Sequence, residues 1–284
     1  LPEACSSICK LYADDTKLMS SVHRQELADL LQKDLDSLVE WSSKWQMSFN
    51  LDKCVVMHLG ADNDCREYNM GGHVLATTTK ERDLGIIMTN DLKSTEQVKR
   101  ASSRATMVAC RIKNTFTYFS LELVNTLFKS FVRPHLEFAV GAWNPYRRGD
   151  IDILERVQRR FSKLVPSLKS RPYVERREAL GWTTLEERRQ RGDLIQLHKI
   201  QHGHDRVNLI HGNQVLASNS LDSPAGRTRH GQLAIERQLV RNCGVRHNFF
   251  TNRTAGNWNA LDSATRNTIK TNTFKNRIDR ALGF

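Results

Sequence analysis

The sequence has no uninterrupted apolar run that approaches the length of a membrane span, and no secretory signal pattern opens it. A helix needs about 20 mainly apolar residues to cross a bilayer, so we expect no membrane partner. The six cysteines include no CxxC pair. Five of them stand in apolar or mixed segments, as reduced core thiols do, which argues against a disulfide framework and predicts an intracellular protein.

The chain also offers little for a zinc site. Cys243 and His247 have the spacing of half such a site, but no second cysteine stands nearby. Structural zinc is usually held by four ligands. His211 and His230 complete a set with these two residues only if the fold is assumed, so zinc in the tail is the minor alternative.

Basic residues are in the minority in the first third of the chain and dominate the rest. Residues 1–90 hold 9 Lys and Arg against 14 Asp and Glu, a net of −5; residues 91–284 hold 34 against 17, a net of +17. A chain of 284 residues is long enough for one large or two modest domains. Because phosphate backbones attract Lys and Arg through counterion release, this imbalance favours a nucleic-acid partner over solvated helix faces alone.

The segment Tyr12–Asp15, with the sequence YADD, places two adjacent carboxylates between two apolar stretches. Ser7–Tyr12 and Thr16–Met19 have strand character, which predicts a β-hairpin with the carboxylates at its tip. Hard cations such as Mg²⁺ prefer oxygen ligands, and two such ions can clamp an in-line phosphoryl displacement. The alternative is an ordinary turn, in which aspartate carboxylates bond nearby backbone N–H groups.

Periodicity predicts one long helix and further strands in the same acidic part of the chain. Leucines recur at helical spacing over residues 23–45, and the charged residues, Asp34 among them, fall mostly on the other face. This pattern predicts an amphipathic helix packed on a sheet. A turn around Asn50–Lys53 leads into an apolar strand, and Lys80–Met88 has the pattern of strand, turn and strand, with Gly85 suited to a close backbone approach to another chain.

Helical patterns dominate after residue 93, so the sequence as a whole predicts an α+β protein. The predicted helices run from Ser94 or Thr95 to Ile112, from Ser120 to Phe131, from Asp150 to Val165 where Pro166 ends it, and onward from Thr183-Thr184. Residues 203–241 are rich in Asn, Ser, Gly, His and Arg, which predicts a loop or basic linker. A short helix over Phe274–Leu282 is predicted to close the chain.

These segments, in this order, resemble the reverse transcriptases. The resemblance begins with YADD and continues through the helix at 23–45, the segment 45–60 and the strand–turn–strand element at 80–88. Within that family the chain resembles the non-LTR retrotransposons of the jockey-like, LINE-type group. The segments that carry this are FVRPHLEFA at 131–139, WNPY at 143–146, LERVQRRF at 154–161, FFTNR at 249–253, WNAL at 258–261 and FK at 274–275.

The resemblance implies the late part of a polymerase palm over residues 1–92, a helical thumb over 93–202, and a basic linker with a carboxyl-terminal tail region over 203–284. It implies an RNA-directed DNA polymerase that transfers nucleotides with two Mg²⁺ (or Mn²⁺) ions. The family builds its metal site from three carboxylates, and the first lies on an earlier palm strand that would precede Leu1. We therefore expect a fragment of a longer polyprotein that lacks the fingers and is inactive alone.

The same resemblance assigns roles to individual residues. Asp14 and Asp15 would be metal ligands and, with Lys53, the catalytic residues. An ammonium such as that of Lys53 could stabilise charge on the leaving group or donate a proton to it, and the alternative is a solvated turn lysine. The residues expected beside the primer terminus are Tyr12, Ala13, Leu84 and Gly85.

Basic residues on two predicted helices are candidates to contact the template–primer backbone, which positions a duplex without reading its sequence. They are Lys99, Arg100, Arg104 and Arg111 on one helix and Arg156, Arg159, Arg160 and Lys163 on a later one. Trp143 and Tyr146 are expected in the core rather than stacked on bases. The expected partners are an RNA template, a DNA primer, deoxynucleoside triphosphates, an RNA–DNA hybrid and upstream parts of the polyprotein, in a cytoplasmic ribonucleoprotein and the nucleus.

Three functions are compatible with these patterns. The first is a reverse transcriptase fragment, the second a non-catalytic nucleic-acid-binding remnant of a polymerase, and the third a basic helical scaffold. The ordered motifs disfavour the third. The first two differ in whether Asp14 matters to any metal-dependent property.

Overall fold

The chain divides into two compact units, Leu1–Leu92 and Lys93–Phe284. The computed structural model describes Glu3 and residues 5–207, 233–235 and 237–283. The first unit combines short strands with a long helix, and the described part of the second is helical, which is compatible with the predicted α+β class. In the described ranges no helix is both long and apolar enough to cross a membrane. The palm and thumb assignment stays a prediction.

The strands of the first unit pair two by two. They are β1 (Ile8–Tyr12), β2 (Asp15–Met19), β3 (Val55–Val56), β4 (Asn69–Met70), β5 (His73–Val74), β6 (Ala76–Thr77), β7 (Lys80–Asp83) and β8 (Ile86–Thr89). β1 and β2, β4 and β5, and β7 and β8 form antiparallel pairs, whereas β3 and β6 pair in parallel. The predicted turn before β3 is a short 3₁₀ helix, Leu51–Lys53.

The long helix α1 (Gln25–Trp45) confirms the helix predicted from the leucine spacing. It packs on β4, and the leucine stripe supplies the core of the first unit. Leu35 and Leu38 of α1 pack with Tyr68, Met70 and Leu75, and Leu18 of β2 adds to the same cluster. The first hairpin therefore rests on this core through one face of β2 only.

Asp34 was predicted on the polar face of α1, away from the core, and this prediction is wrong because its side chain is only 3% exposed. The two carboxylate oxygens accept hydrogen bonds from the backbone N–H groups of Ser6 and Ser7, each at 2.7 Å. Two donors replace the water that a buried carboxylate gives up, which is why the charge is tolerated there. The bond also fixes the chain just before β1, so α1 holds the base of the first hairpin.

The second unit contains helices of very different lengths. They are α2 (Thr95–Thr115), α3 (Leu121–Leu127), α4 (Arg133–Glu137), α5 (Val140–Trp143), α6 (Arg148–Phe161), α7 (Tyr173–Leu180), α8 (Leu185–Gln201), α9 (Gly244–His247), α10 (Phe250–Asn259), α11 (Ser263–Arg266) and α12 (Thr271–Leu282). A π-helix, Phe128–Val132, joins α3 to α4, so the helix predicted to end at Phe131 continues to Glu137. Helix α2 packs along α6.

Helix α8 connects the early helices of this unit to the carboxyl-terminal ones. Leu194 and Leu197 of α8 are fully buried against Trp258 of α10 and against Phe274 and Ile278 of α12. Helix α12 confirms the predicted closing helix and begins three residues earlier. Helices α7 and α10 were not predicted. The predicted boundary at 202/203 lies inside the second unit, and residues 208–232 of the predicted loop lie outside the described residues.

Candidate active site

The first hairpin places the aspartates at its tip. Tyr12 pairs with Asp15, and the two-residue turn between them consists of Ala13 and Asp14. Ala13 has a φ of 54°, the sign that two-residue hairpin turns require at their first central position. Asp14 therefore lies in the turn itself and Asp15 opens β2, so the two carboxylates start from different backbone environments.

Both carboxylates are open to solvent. Asp14 and Asp15 are exposed. Neither carboxylate accepts a hydrogen bond or forms an ion pair with any residue that the structure describes. An ordinary aspartate turn would use a carboxylate to bond a backbone N–H group. The carboxylate oxygens are thus open to a partner, and the metal-ligand role of Asp14 and Asp15 stays a prediction. Tyr12, which precedes the pair, is 66% exposed.

The donor set suits a hard cation but is small. Mg²⁺ is commonly held by one or two carboxylates with water and substrate phosphate completing its shell. Within the described ranges, no group of three His, Cys, Asp or Glu side chains is placed to hold a metal ion. Asp14 and Asp15 therefore fit part of a magnesium site, and further ligands would have to come from water, from substrate or from outside the described residues.

The base of this hairpin is partly buried and lies beside the buried Asp34 carboxylate. Burial, with smaller contributions from Cys9 and Asp34, raises the pKa of the Cys5 thiol to about 11. The thiol therefore stays protonated at neutral pH and packs as a core group, partly buried against the cluster around Leu35. This agrees with the prediction of reduced core thiols for this residue.

A second hairpin, of β7 and β8, carries the other residues expected near a primer. Leu84 and Gly85 form its two-residue turn, with φ values of 45° and 87°. Positive φ at both positions is the signature of the type I′ turn, where Asn and Gly are usual. A leucine there is strained, and its side chain is 51% exposed. The strain is compatible with a contact site at this tip, and the expected primer contact stays a prediction.

Lys17 joins the first hairpin to the second. The ammonium of Lys17 on β2 bonds the carboxylate of Asp83, the last residue of β7, and lies 3.7 Å from the sulfur of Met88 on β8. Neither Lys17 nor Asp83 was predicted as a site residue. Strand alternation places Lys17 on the same face as Asp15, but nothing in the sequence indicates its pairing with Asp83.

Lys53 lies at the end of the 3₁₀ helix before β3 and is exposed. Its backbone N–H donates to the carbonyl of Asn50 at 3.1 Å. Among the contacts of the described residues, none brings its ammonium to Asp14 or Asp15. The structure is therefore compatible with both alternatives for Lys53, and its catalytic role stays a prediction.

The basic residues of α2 divide by exposure. Lys99, Arg104 and Arg111 are exposed, while Arg100 is half-buried. At about 100° per residue, positions 100, 104 and 111 fall within a narrow sector and position 99 lies well outside it. The ammonium of Lys99 bonds Glu96 at 2.8 Å, and this contact raises the pKa of Lys99. The face with the most available charge is thus that of Arg104 and Arg111.

The predicted cluster on α6 is fully on the surface. Arg156, Arg159 and Arg160 are exposed, and Lys163 lies in the 3₁₀ helix Ser162–Leu164 that follows α6. The guanidinium of Arg159 stands 5.0 Å from the ring centre of Tyr173, a cation–π contact that limits its mobility. These side chains belong to the second unit, whereas both hairpins belong to the first.

A buried arginine contacts the carboxyl end of α6, where this basic cluster lies. Arg176 of α7 is 3% exposed, and its Nε donates to the Ser162 hydroxyl at 2.9 Å. Its other nitrogens donate to the carbonyls of Arg171 and, at 3.4 Å, Arg159. A cation at the carboxyl end of a helix offsets the macrodipole and satisfies free carbonyls. Sequence periodicity gave no signal for this role, because arginine is usually assigned to the surface.

The tail motifs serve the core of the second unit. Trp258 is fully buried and its indole N–H donates to the carbonyl of Leu233 at 2.7 Å. Trp143 is 5% exposed, which confirms its expected place in the core. For the zinc alternative, Cys243 is exposed and the ring of His247 bonds Arg237 at 3.0 Å, while His211 and His230 lie outside the described residues.

One curated protein is similar to this chain. It is the RNA-directed DNA polymerase from mobile element jockey of Drosophila funebris, 26% identical over 175 residues, which cover 58% of this chain and 18% of that protein. The match supports a reverse transcriptase relationship. The chain thus spans less than a fifth of the length of this relative. No family model matches the chain, and no solved structure matches it.

Proposed function

We propose that this chain is part of the RNA-directed DNA polymerase of a jockey-like non-LTR retrotransposon, in which it contributes two of the metal-binding carboxylates and a basic duplex-binding surface. The observation that carries the proposal is the exposed and unpartnered pair Asp14 and Asp15 at a hairpin tip. The similarity to the jockey polymerase supports it. The region would work as part of a longer protein that supplies the third carboxylate and the fingers.

In the proposed site each residue of the first unit has a defined task. Asp14 and Asp15 would hold Mg²⁺ or Mn²⁺, which when bound supplies the Lewis acidity for attack of a primer hydroxyl on a deoxynucleoside triphosphate. Tyr12 would pack beside the primer terminus, and Ala13 leaves room for it. Lys53 would act on charge at the leaving group.

The second hairpin would meet the primer strand at its turn. Gly85 has no side chain and Leu84 is exposed, so the backbone of this turn can approach a sugar–phosphate chain closely. The ion pair of Lys17 with Asp83 would hold this turn beside the carboxylate hairpin.

The exposed arginines of α2 and α6 would hold the RNA–DNA hybrid in the proposed polymerase. Contacts of this kind neutralise phosphates and position the duplex, and they make affinity depend on salt. The net charge of +17 over residues 91–284 supports this role. Cytoplasmic ribonucleoprotein and nuclear locations are part of the same proposal.

The second candidate is a non-catalytic nucleic-acid-binding remnant of a polymerase. The exposed arginines of α2 and α6 favour it, since neutralisation of phosphate groups needs no metal ion. In that case the exposed arginines would be the working part, and replacement of Asp14 would change nothing that depends on metal.

Primer extension on an RNA template distinguishes the two candidates. The assay compares this chain, a protein extended upstream through the third carboxylate, and the extended protein with Asp14→Asn; Asp36→Asn, an exposed aspartate of α1, is the matched control. We expect Mg²⁺-dependent extension only from the extended protein and its Asp36→Asn variant. Loss of about two orders of magnitude or more in Asp14→Asn would support catalysis. An inactive extended protein that still binds duplex would establish the remnant instead.

A further inference from the structure

Lys17 and Asp15 lie on the same face of β2. They are two residues apart, so their side chains point to the same side of the hairpin with Cα atoms about 7 Å apart. The paired residues Tyr12 and Lys10 of β1 lie on this face too, opposite Asp15 and Lys17 respectively. The opposite face carries Leu18, which packs into the core. One face of the hairpin therefore combines a candidate metal ligand with two ammonium groups.

An ammonium in this position has two carboxylates within reach. A lysine side chain is long enough to pair with a carboxylate two residues away on the same face, and a cation paired with Asp15 would repel Mg²⁺. In the structure Lys17 bonds Asp83 instead, and Asp15 has no partner among the described residues. The contact with the Met88 sulfur at 3.7 Å fixes the ammonium on the side of the second hairpin.

Resting on the proposed function, we infer that Asp83 is a positioning residue for the metal site: by pairing with Lys17 it keeps that ammonium from occupying Asp15. The same contact fixes the side of the hairpin on which the Leu84–Gly85 turn lies. Asp83 is the last residue of β7 and directly precedes that turn, so the turn is held beside the face that bears Tyr12 and Asp15. Asp83 thus couples the metal ligand to the proposed primer contact.

A double-mutant cycle on the full chain tests this inference without any need for catalysis. Mn²⁺ is titrated into the ¹⁵N-labelled protein, and the paramagnetic broadening of backbone amides at residues 12–16 reports its affinity. The variants are Asp83→Asn, Lys17→Gln and the double variant. Asp29→Asn, which breaks the ion pair of Asp29 with Arg66 in the same unit, is the matched control.

We expect Asp83→Asn to weaken Mn²⁺ binding by about threefold or more, as one uncompensated charge at this distance predicts. Lys17→Gln alone should change little, because Asp83 already holds that ammonium. In the Asp83→Asn background the same substitution should restore the affinity, and this non-additivity is the signature of the coupling. A purely structural role would leave the double variant as weak as Asp83→Asn, because both lack the ion pair.

Two outcomes overturn the inference, and only the second also overturns the proposed metal site. If the wild-type chain binds Mn²⁺ at the hairpin and the two substitutions act additively, or Asp83→Asn behaves like Asp29→Asn, the positioning role is wrong and the proposed metal site stands. If broadening at residues 12–16 is absent from the wild type, or unaltered by Asp14→Asn, the metal-binding role of the hairpin is wrong and the inference falls with it.

Discussion

Arg253 of α10 makes a two-point ion pair with Asp193 of α8, at nitrogen–oxygen distances of 2.8 and 2.9 Å. The carboxylate is almost completely buried, and Asn144 also donates to it at 3.0 Å. The same guanidinium donates to the carbonyl of Gly141 at 2.7 Å. One side chain from the tail thus joins α10, α8 and α5, so the tail is part of the structural core of the second unit.

Removal of this guanidinium is expected to destabilise the second unit strongly. Arg253→Ala leaves Asp193 buried without its charged partner, which typically costs about 3–5 kcal/mol. Urea denaturation followed by tryptophan fluorescence, with Trp258 of α10 in the adjacent core, measures the change. Arg280→Ala, an exposed arginine of α12, is the control and should cost less than about 0.5 kcal/mol. Equal effects of the two substitutions would contradict the structural role.

The strain at Leu84 predicts that stability and function respond in opposite directions. Leu84→Asn suits the left-handed conformation and should stabilise the first unit by roughly 0.5–1 kcal/mol. In the extended polymerase it should lower primer affinity, because the apolar tip is lost. Leu92 has a φ of 55° and is also exposed, so Leu92→Asn is a matched control that should gain stability without loss of primer affinity. Unchanged primer affinity in Leu84→Asn would contradict the assigned contact.

A cluster of three histidines predicts a pH dependence of the second unit. His198 is fully buried, with its ring 4.5 Å from that of His202, 6.0 Å from that of His204 and 4.2 Å from that of Phe274. Its Nε2 lies 2.6 Å from the carbonyl oxygen of Thr268. Burial lowers the pKa of His198, and the two neighbouring rings add to this effect against the backbone hydrogen bond, which raises it.

Because the pKa of His198 is lower in the folded chain, the unfolded chain binds the extra proton first. Stability should be complete above about pH 6.5 and should fall by up to about 1.4 kcal/mol per pH unit as the pH drops toward the folded pKa. Thermal melts between pH 5 and 8 measure this. His198→Gln should flatten the profile, whereas His247→Gln, an exposed histidine, should not. A wild-type melting temperature that is constant over this range would contradict the prediction.

The exposed arginines of α2 predict a graded salt dependence of duplex binding. Arg104→Gln and Arg111→Gln should each lower the slope of log affinity against log salt by about 1 and weaken binding uniformly across sequences. Arg66→Gln in the acidic first unit is the control, since Arg66 is paired with Asp29. Fluorescence anisotropy with an RNA–DNA hybrid at several salt concentrations measures the slopes. Identical slopes for all variants would remove α2 from the proposed interface.

Elements with a regular pattern could be predicted from the sequence. The leucine stripe gave α1, and the capping box of Thr184 with Glu187 marks the start of α8. Alternation around YADD gave the first hairpin and its exposed tip. In each case local spacing and burial indicate the same structure, which is the condition for a sequence pattern to be informative.

Buried positions that are occupied by polar residues could not be predicted from the sequence. Helix α10 buries Thr251, Asn252 and Thr254 together with Phe250 and Trp258, so polar residues interrupt the apolar spacing that would have indicated a helix. Asp34 can be buried because backbone N–H groups bond its carboxylate, and the sequence of side chains does not show which backbone groups are available. The Lys17–Asp83 pair joins residues 66 positions apart in the sequence, a contact that only the fold reveals.

The buried Arg176 has a consequence for the surface above it. Arginine side chains near the carboxyl end of a helix can donate hydrogen bonds to the free carbonyls of its last turn. At the end of α6 the buried Arg176 makes such bonds: it donates to the Arg159 carbonyl and to the Ser162 hydroxyl. Arg176 thus takes over part of the capping role that basic side chains can fill, and the exposed Arg156 and Arg160 keep their guanidinium groups open to solvent. The end of α6 is therefore stabilised from its buried side, while its outer side keeps its positive charge.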